Sequence, residues 1–170
     1  MKEFLLSTTR LQLRAFQLAD ANGFFLLNND PLVLRHTGDV PFVDEAAAAD
    51  FISRYDHYQN YGYGRWAIIL RATGQFIGFC GLKYHPDQHF VDLGFRLQRQ
   101  YWGQGLATEA ARACLDYAFK DLRLNRIVGR VQRGNQASSR VLEKIGMKLV
   151  NSFDFEGTPG YWYEIERPSD

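Results

Sequence analysis

The sequence predicts an α/β domain: a mixed, mostly antiparallel sheet of about seven strands flanked by about four helices. Three observations predict it. Runs rich in β-formers recur along the chain, and three of them, within residues 65–97, are joined by short turns, which makes an antiparallel meander. Segments of helical periodicity stand before and after that meander, so strands and helices share one body. Finally, 170 residues with 46% hydrophobic and 15% aromatic content suffice for one sizeable core, and no repeat, low-complexity tract or linker divides residues 1–170.

Each element follows from its local pattern. Thr9 to Phe16 alternates, with Leu11, Leu13 and Ala15 on one side and Arg10, Gln12 and Arg14 on the other, as a half-buried strand does. Asp20 can cap a short helix through Leu27, ended by Asn28-Asn-Asp-Pro31. After the connector Asp39-Val-Pro-Phe, Asp44 starts a second helix running to about Tyr61. That helix carries Ala48, Phe51 or Ile52, Tyr55 and Tyr58 on one face, and Gly62 and Gly64 stop it. The meander strands are 65–71, 75–84 and 90–97, and a helix through about Leu122 follows the third. Arg126 to Gln132 is a strand, and Asn135 begins a helix that Gly146 is placed to stop. Lys148 to Phe155 and Tyr161 to Arg167 are two last strands around Gly157-Thr-Pro-Gly160.

Composition narrows the class of function. No apolar run approaches the roughly 20 residues of a membrane span. The start, Met1-Lys-Glu-Phe-Leu-Leu-Ser, is too short and too acidic for a secretory signal. Cys80 and Cys114 read as buried free thiols, which points to a reducing cytoplasm. The net charge of +1 and pI near 7.8 argue against nucleic acid as the main partner. Charge is unevenly spread: residues 96–148 hold 11 Lys/Arg against 4 Asp/Glu, and the rest is acidic. An anionic ligand suits the first region and a cationic one the second.

The most informative stretch is Arg96-Leu-Gln-Arg-Gln-Tyr-Trp-Gly-Gln-Gly-Leu-Ala-Thr-Glu-Ala110, a strand end, a two-glycine turn and an alanine-rich helix start. Gly103 and Gly105 let backbone amides approach a ligand, and the helix aims its unpaired N–H groups at the same spot. Such geometry holds phosphate or pyrophosphate. Thr108 stands where a dinucleotide fingerprint needs its third glycine, and no Gly-Lys-Ser/Thr follows as in a Walker loop. On these residues alone, a turn without a ligand stays open.

A second stretch, Arg133-Gly-Asn-Gln-Ala-Ser-Ser-Arg-Val-Leu-Glu-Lys-Ile-Gly-Met147, also starts a helix after a strand. Together the two resemble the GNAT superfamily of acetyl-CoA-dependent N-acetyltransferases. The pyrophosphate signature falls on Trp102-Gly-Gln-Gly105-Leu-Ala107, with Trp102 where Arg or Gln is usual. Tyr-Trp-Gly-x-Gly-x-Ala-Thr-Glu-Ala, Asn135-Gln-Ala-Ser138, Thr9-Arg-Leu-x-Leu-Arg14 and the segment from Asn29-Asp-Pro31 through Asp39 resemble the branch of ribosomal-protein N-terminal alanine and serine acetyltransferases.

The resemblance implies a GNAT-like splayed sheet and acetyl-CoA as cosubstrate, with no metal. Gly103, Gln104, Gly105, Leu106, Ala107 and Thr108 would take the pyrophosphate. Leu97 and Gln98 would pair with the pantetheine arm, and the Leu97 N–H would polarise the thioester carbonyl. Asn135 would offer an amide to that arm and Ser138 a hydroxyl near the thiol, unless both only cap the helix. Asp92, in Asp92-Leu-Gly94, would take the amine's proton, or be a solvated carboxylate.

Weaker candidates have bland readings. Glu109 suits the helix dipole, His85 and His89 belong to a surface turn rather than a metal site, and Tyr161 and Tyr163 share a face that lines the acceptor pocket or simply packs. The expected activity is acetyl transfer to a primary amine by direct attack in a ternary complex. The acceptor is a protein N-terminus or a small amine such as an amino acid, polyamine or aminoglycoside, shaped by residues 29–63. The rival is a non-catalytic CoA-binding module. Oligomeric state is left open.

Overall fold

The meander expected between residues 65 and 97 forms the middle of one eight-stranded sheet. The structure, a computed structural model, describes residues 4–169; residues 1–3, where the segment read against a secretory signal begins, and residue 170 lie outside. The strands are β1 (Leu6–Ser7), β2 (Leu11–Arg14), β3 (Arg65–Leu70), β4 (Gln75–His85), β5 (Phe90–Leu97), β6 (Arg126–Gln132), β7 (Lys148–Phe155) and β8 (Thr158–Glu166). Their order is β1-β2-β3-β4-β5-β6-β8-β7, and every neighbouring pair is antiparallel except β5 and β6. The extra strand, β1, is only two residues long, too short to show a period.

Six helices flank the sheet: α1 (Ala21–Leu27), α2 (Pro31–Leu34), α3 (Glu45–Ser53), α4 (His57–Tyr61), α5 (Leu106–Lys120) and α6 (Gln136–Lys144). Alternation along β4 and β5, shifted by one residue at the irregularity around Ile77 in β4, sorts side chains to two faces. Cys80, Leu82, Leu93 and Leu97 join the main core with Ala110, Cys114 and Leu115 of α5. Phe76 and Phe79 instead meet α1 and α3 through Phe24, Ala48 and Ile52. Both cysteines are free and fully buried. No helix among the described residues is long and apolar enough to cross a membrane.

Two helix expectations need correction. Asp20 makes no side-chain cap for α1; its carboxylate takes both Nη atoms of Arg14 at 2.8 Å and the Gln17 amide. The helix expected from Asp44 to about Tyr61 breaks into α3 and α4. Asp44 does cap α3, accepting from the Ala47 amide at 2.8 Å. At the break, tertiary bonds win over helix continuity. The Tyr55 hydroxyl accepts from the Arg65 amide at 2.8 Å, and the Tyr58 hydroxyl donates to the Arg65 carbonyl.

Candidate active site

The site is set by the one parallel pair. β5 and β6 are in register only at Asp92↔Val128, and beyond that junction the two strands diverge. Gln98 N donates to Ile77 O at 2.9 Å and Gly78 faces Leu97, so the groups that β5 directs to β4 belong to residues 98, 96 and 94. Leu97 therefore turns its N–H and C=O toward the split. Its carbonyl accepts from the Trp102 indole N–H at 2.9 Å. Because β5 and β6 run parallel, the helix starts that follow them, α5 and α6, lie at the same edge of the sheet, around the mouth of the split.

At the start of α5, Gly103 and Gly105 have φ of +71° and +77°, a region that L side chains enter only under strain. No side chain caps this helix, and the amides of residues 103–108 find no protein acceptor among the described residues. Leu106 is buried and anchors the turn to the core, whereas Gln104 is exposed. Arg10, just before β2, reaches the turn from outside the motif. Its Nη1 donates to Gln104 O at 2.8 Å and its Nε lies 2.7 Å from Glu109 Oε2. Glu109 also accepts from the Thr8 hydroxyl and the Arg10 amide. Partial burial pushes the Glu109 carboxyl up, but those bonds outweigh it and hold the group below its ordinary range. Glu109 therefore ties the turn between β1 and β2 to α5, a specific role beyond the dipole.

At the start of α6, Asn135 Oδ1 accepts from the Ser138 amide at 3.2 Å, so capping is real. The Asn135 side-chain nitrogen and the Ser138 hydroxyl have no hydrogen-bond partner among the described residues, and both residues are half-buried. Leu97, the glycine turn and the α6 start with Asn135 and Ser138 thus lie at one edge of the sheet; Gln98 lies there too, but its N–H is bonded to Ile77 O and its C=O to the Tyr101 amide.

Asp92 does not join them. It sits at the junction of the strands, 5% exposed, on the face toward α1 and α3. Arg65 Nη2 meets its Oδ1 at 2.6 Å, while His85 Nε2 and Arg130 Nη2 meet its Oδ2 at 2.8 and 3.0 Å. Burial alone would raise the carboxyl, but the charge of Arg65, the bond from His85 and the charge of Arg130 outweigh it and hold it far below the carboxylate range. A carboxylate held so firmly ionised is a poor proton acceptor. The expectation that Asp92 is a general base is corrected on this physical ground, and so is the alternative of a solvated carboxylate. His85, expected in a surface turn, is half-buried and stacked on Phe90.

Gly94 explains the Asp-x-Gly spacing. A Cβ there would stand 2.5–2.6 Å from the Arg65 guanidinium, which crosses the strand at this point to reach Asp92. Gly94→Ala should displace Arg65 and destabilise the protein by about 1–3 kcal/mol, measured by urea unfolding. An unchanged midpoint would rule this reading out.

The sheet face toward α1 and α3 brings together residues that no local pattern signals. Asp39, expected to be mere connector, binds Arg96 Nη2 of β5 at 2.8 Å, and Arg96 also donates to the Asn28 side chain. Three residues earlier, His36 Nδ1 lies 3.3 Å from Gln132 Oε1 of β6. Residues 36–39 therefore straddle the split, one end on each strand. On β8, Tyr163 is 2% exposed and packs in the core, and the Tyr161 hydroxyl accepts from Arg133 Nε at 3.0 Å. Trp162, between them, is the residue on the acceptor face, level with Arg130.

Comparison with known proteins agrees with this architecture. The profile of the GNAT acetyltransferase domain matches residues 10–148. The protein of Bacillus licheniformis named as the uncharacterized N-acetyltransferase p20 is 34% identical over 153 residues, covering 89% of this chain and 82% of its own. A GNAT-family acetyltransferase structure from Bacillus anthracis superposes with a TM-score of 0.83 at 27% identity, covering 95% of this chain and 98% of that one. The ribosomal-protein-S5-alanine acetyltransferase of Vibrio fischeri shares the fold, with a TM-score of 0.80 at 16% identity over 95% and 96% of the two chains. A profile match over most of the length, a relative of this identity and a split sheet with two helix starts at its mouth lead to one conclusion: the chain belongs to the GNAT family of acetyl-CoA-dependent N-acetyltransferases.

Proposed function

We propose that the protein transfers the acetyl group of acetyl-CoA to a primary amine by direct attack in a ternary complex, and that the acceptor is an α-amine such as a protein N-terminus. The observation that carries the transfer is the Leu97 amide facing the split between β5 and β6. Gly103, Gln104, Gly105, Leu106, Ala107 and Thr108 hold the pyrophosphate through their backbone amides, as unpaired N–H groups at a helix start do. Leu97 meets the end of the pantetheine arm through its N–H, whereas Gln98 is spent within the protein, its N–H on Ile77 O and its C=O on the Tyr101 amide, and Asn135 offers its free amide nitrogen to the arm. The Leu97 N–H polarises the thioester carbonyl and stabilises the oxyanion that forms on attack. The Ser138 hydroxyl supplies a proton to the departing sulfur.

The α-amine reading rests on the loss of Asp92 as a base. Deprotonating an α-amine with a pKa near 7.8 costs about 1 kcal/mol at pH 7, whereas a lysine near 10.4 costs about 4.6 kcal/mol. A site without a carboxylate base suits the first and handicaps the second. Thiol release from acetyl-CoA, measured against peptides of varied N-terminus and a panel of small amines, tests this. Turnover at neutral pH is expected to favour α-amines. Preference for polyamines or aminoglycosides would replace the acceptor class. Tight CoA binding with no turnover on any amine would instead establish a non-catalytic module.

A further inference from the structure

We infer that His36 is the catalytic base that takes the acceptor's proton, an inference that rests on the acetyl-transfer reading above. From the junction Asp92↔Val128, four residues along β5 lead to Arg96 and four along β6 lead to Gln132. The two stand level on opposite banks of the split, next to Leu97. Residues 36–39 bridge them, with Asp39 bound to Arg96 and His36 to Gln132. His36 is thus held on the Gln132 bank of the split, across from Arg96, on the sheet face that α1 and α3 cover.

Chemistry agrees with position. With Gln132 Oε1 as the acceptor, the neutral tautomer that satisfies this contact has its proton on Nδ1 and leaves Nε2 to take the acceptor's proton. Nε2 has no hydrogen-bond partner among the described residues, and the residue is half-buried, open to an incoming amine. Gly134 makes room for the ring: a Cβ at that position would come within 3.3 Å of His36 Cε1.

The chain has four histidines, and the other three are engaged elsewhere. His85 Nε2 is bound to Asp92 at 2.8 Å, at the hairpin end of β4 rather than along the split. His57 Nε2 accepts from the Tyr84 amide at 3.0 Å, and burial lowers its affinity for a proton. His89 Nδ1 lies 3.0 Å from the Tyr84 hydroxyl in an exposed turn. Of the four, His36 alone combines a ring nitrogen without a partner among the described residues with a place against a strand that borders the split.

The proton and electron count closes. The acceptor arrives as an ammonium; His36 Nε2 takes one proton, and the freed nitrogen lone pair attacks the thioester carbonyl carbon. A C–N bond forms and the carbonyl π pair moves to oxygen, where the Leu97 N–H meets it. When that pair returns, the C–S bond breaks and sulfur leaves with the bonding electrons. Sulfur gains the second proton that nitrogen sheds, through Ser138. The His36 imidazolium returns its proton to solvent, leaving an acetamide and a thiol.

The test compares wild type and His36→Gln in steady-state thiol release with an α-amine peptide from pH 6.5 to 9.5. At neutral pH the variant is expected to lose at least about tenfold in kcat, with acetyl-CoA affinity by calorimetry and Tm unchanged. The deficit should shrink as pH rises above the pKa of the amine, because the acceptor then arrives already deprotonated. Gln132→Leu should show a smaller loss of the same shape, since it only frees the ring to turn. Unchanged kcat in His36→Gln, or a loss that stays constant with pH or comes with weakened acetyl-CoA binding, would overturn the assignment. Failure of the wild type to release thiol with any amine would overturn the transfer reading itself, and the base with it.

Discussion

Asp92→Ala should lower stability by about 3–5 kcal/mol, the cost of stripping the partner from buried charges, and lower Tm by on the order of 10 °C. Two guanidiniums share this one carboxylate. Arg65 is half-buried, its Nη1 donates to the Gly81 and Asp92 carbonyls, and Asp92 is the carboxylate it is paired with. Burial disfavours the charged guanidinium, but the nearby Asp92 charge more than offsets it and raises its proton affinity. Removing the carboxylate leaves two positive charges facing each other across the junction of β5 and β6. Thermal and urea unfolding followed by circular dichroism would measure the loss. A residue acting only as a base would instead leave Tm unchanged and lower kcat, and that outcome would reinstate the reading the structure disfavours.

The same pair gives a pH dependence with a definite sign. The folded state holds the Asp92 carboxyl far below its unfolded value, so its contribution is fully present above the unfolded pKa of about 3.9. It is lost as pH falls from there toward the folded pKa. Wild-type stability should therefore decline on acidification below about pH 4, and a variant lacking the carboxylate should decline less steeply.

Gly105→Val should weaken acetyl-CoA binding by about a hundredfold or more, read by calorimetry. The substitution acts twice. It places a branched side chain where the helix-start amides must meet a pyrophosphate, and it forces a non-glycine residue to φ +77°. The backbone strain costs on the order of 1–2 kcal/mol, so a modest fall in Tm comes with the binding defect. Gly62→Val separates the two effects. Gly62 ends α4 at the same φ of +77° and has open space around it. It should lose a similar amount of stability and bind acetyl-CoA normally. Normal affinity in Gly105→Val would remove this turn from the cofactor site.

The strands from residue 65 to 97 and from 126 to 132 were legible because alternation and turn residues report burial directly. The glycine turn and the Asn135 cap were legible for a related reason: a positive φ or a helix cap is decided within a few positions. The break between α3 and α4 was not legible. Nothing near Arg54 announces it, since its cause is the pull of Arg65 on two tyrosine hydroxyls. The short β1 escaped because two residues show no period.

By itself, the sequence determined the kind of site this protein has: two helix starts built to face a ligand, and a strand running into one of them. Those features are local, and steric and capping rules write them into neighbouring residues. Tertiary structure alone decided which side chains have free chemistry. Asp92 looks like a base until Arg65, 27 positions away, and Arg130, 38 positions away, neutralise it. His36 carries no local signal of chemistry until Gln132, 96 positions away, binds its ring. Proton affinity and reach depend on what surrounds a group in space, and the fold brings those neighbours from distant parts of the chain.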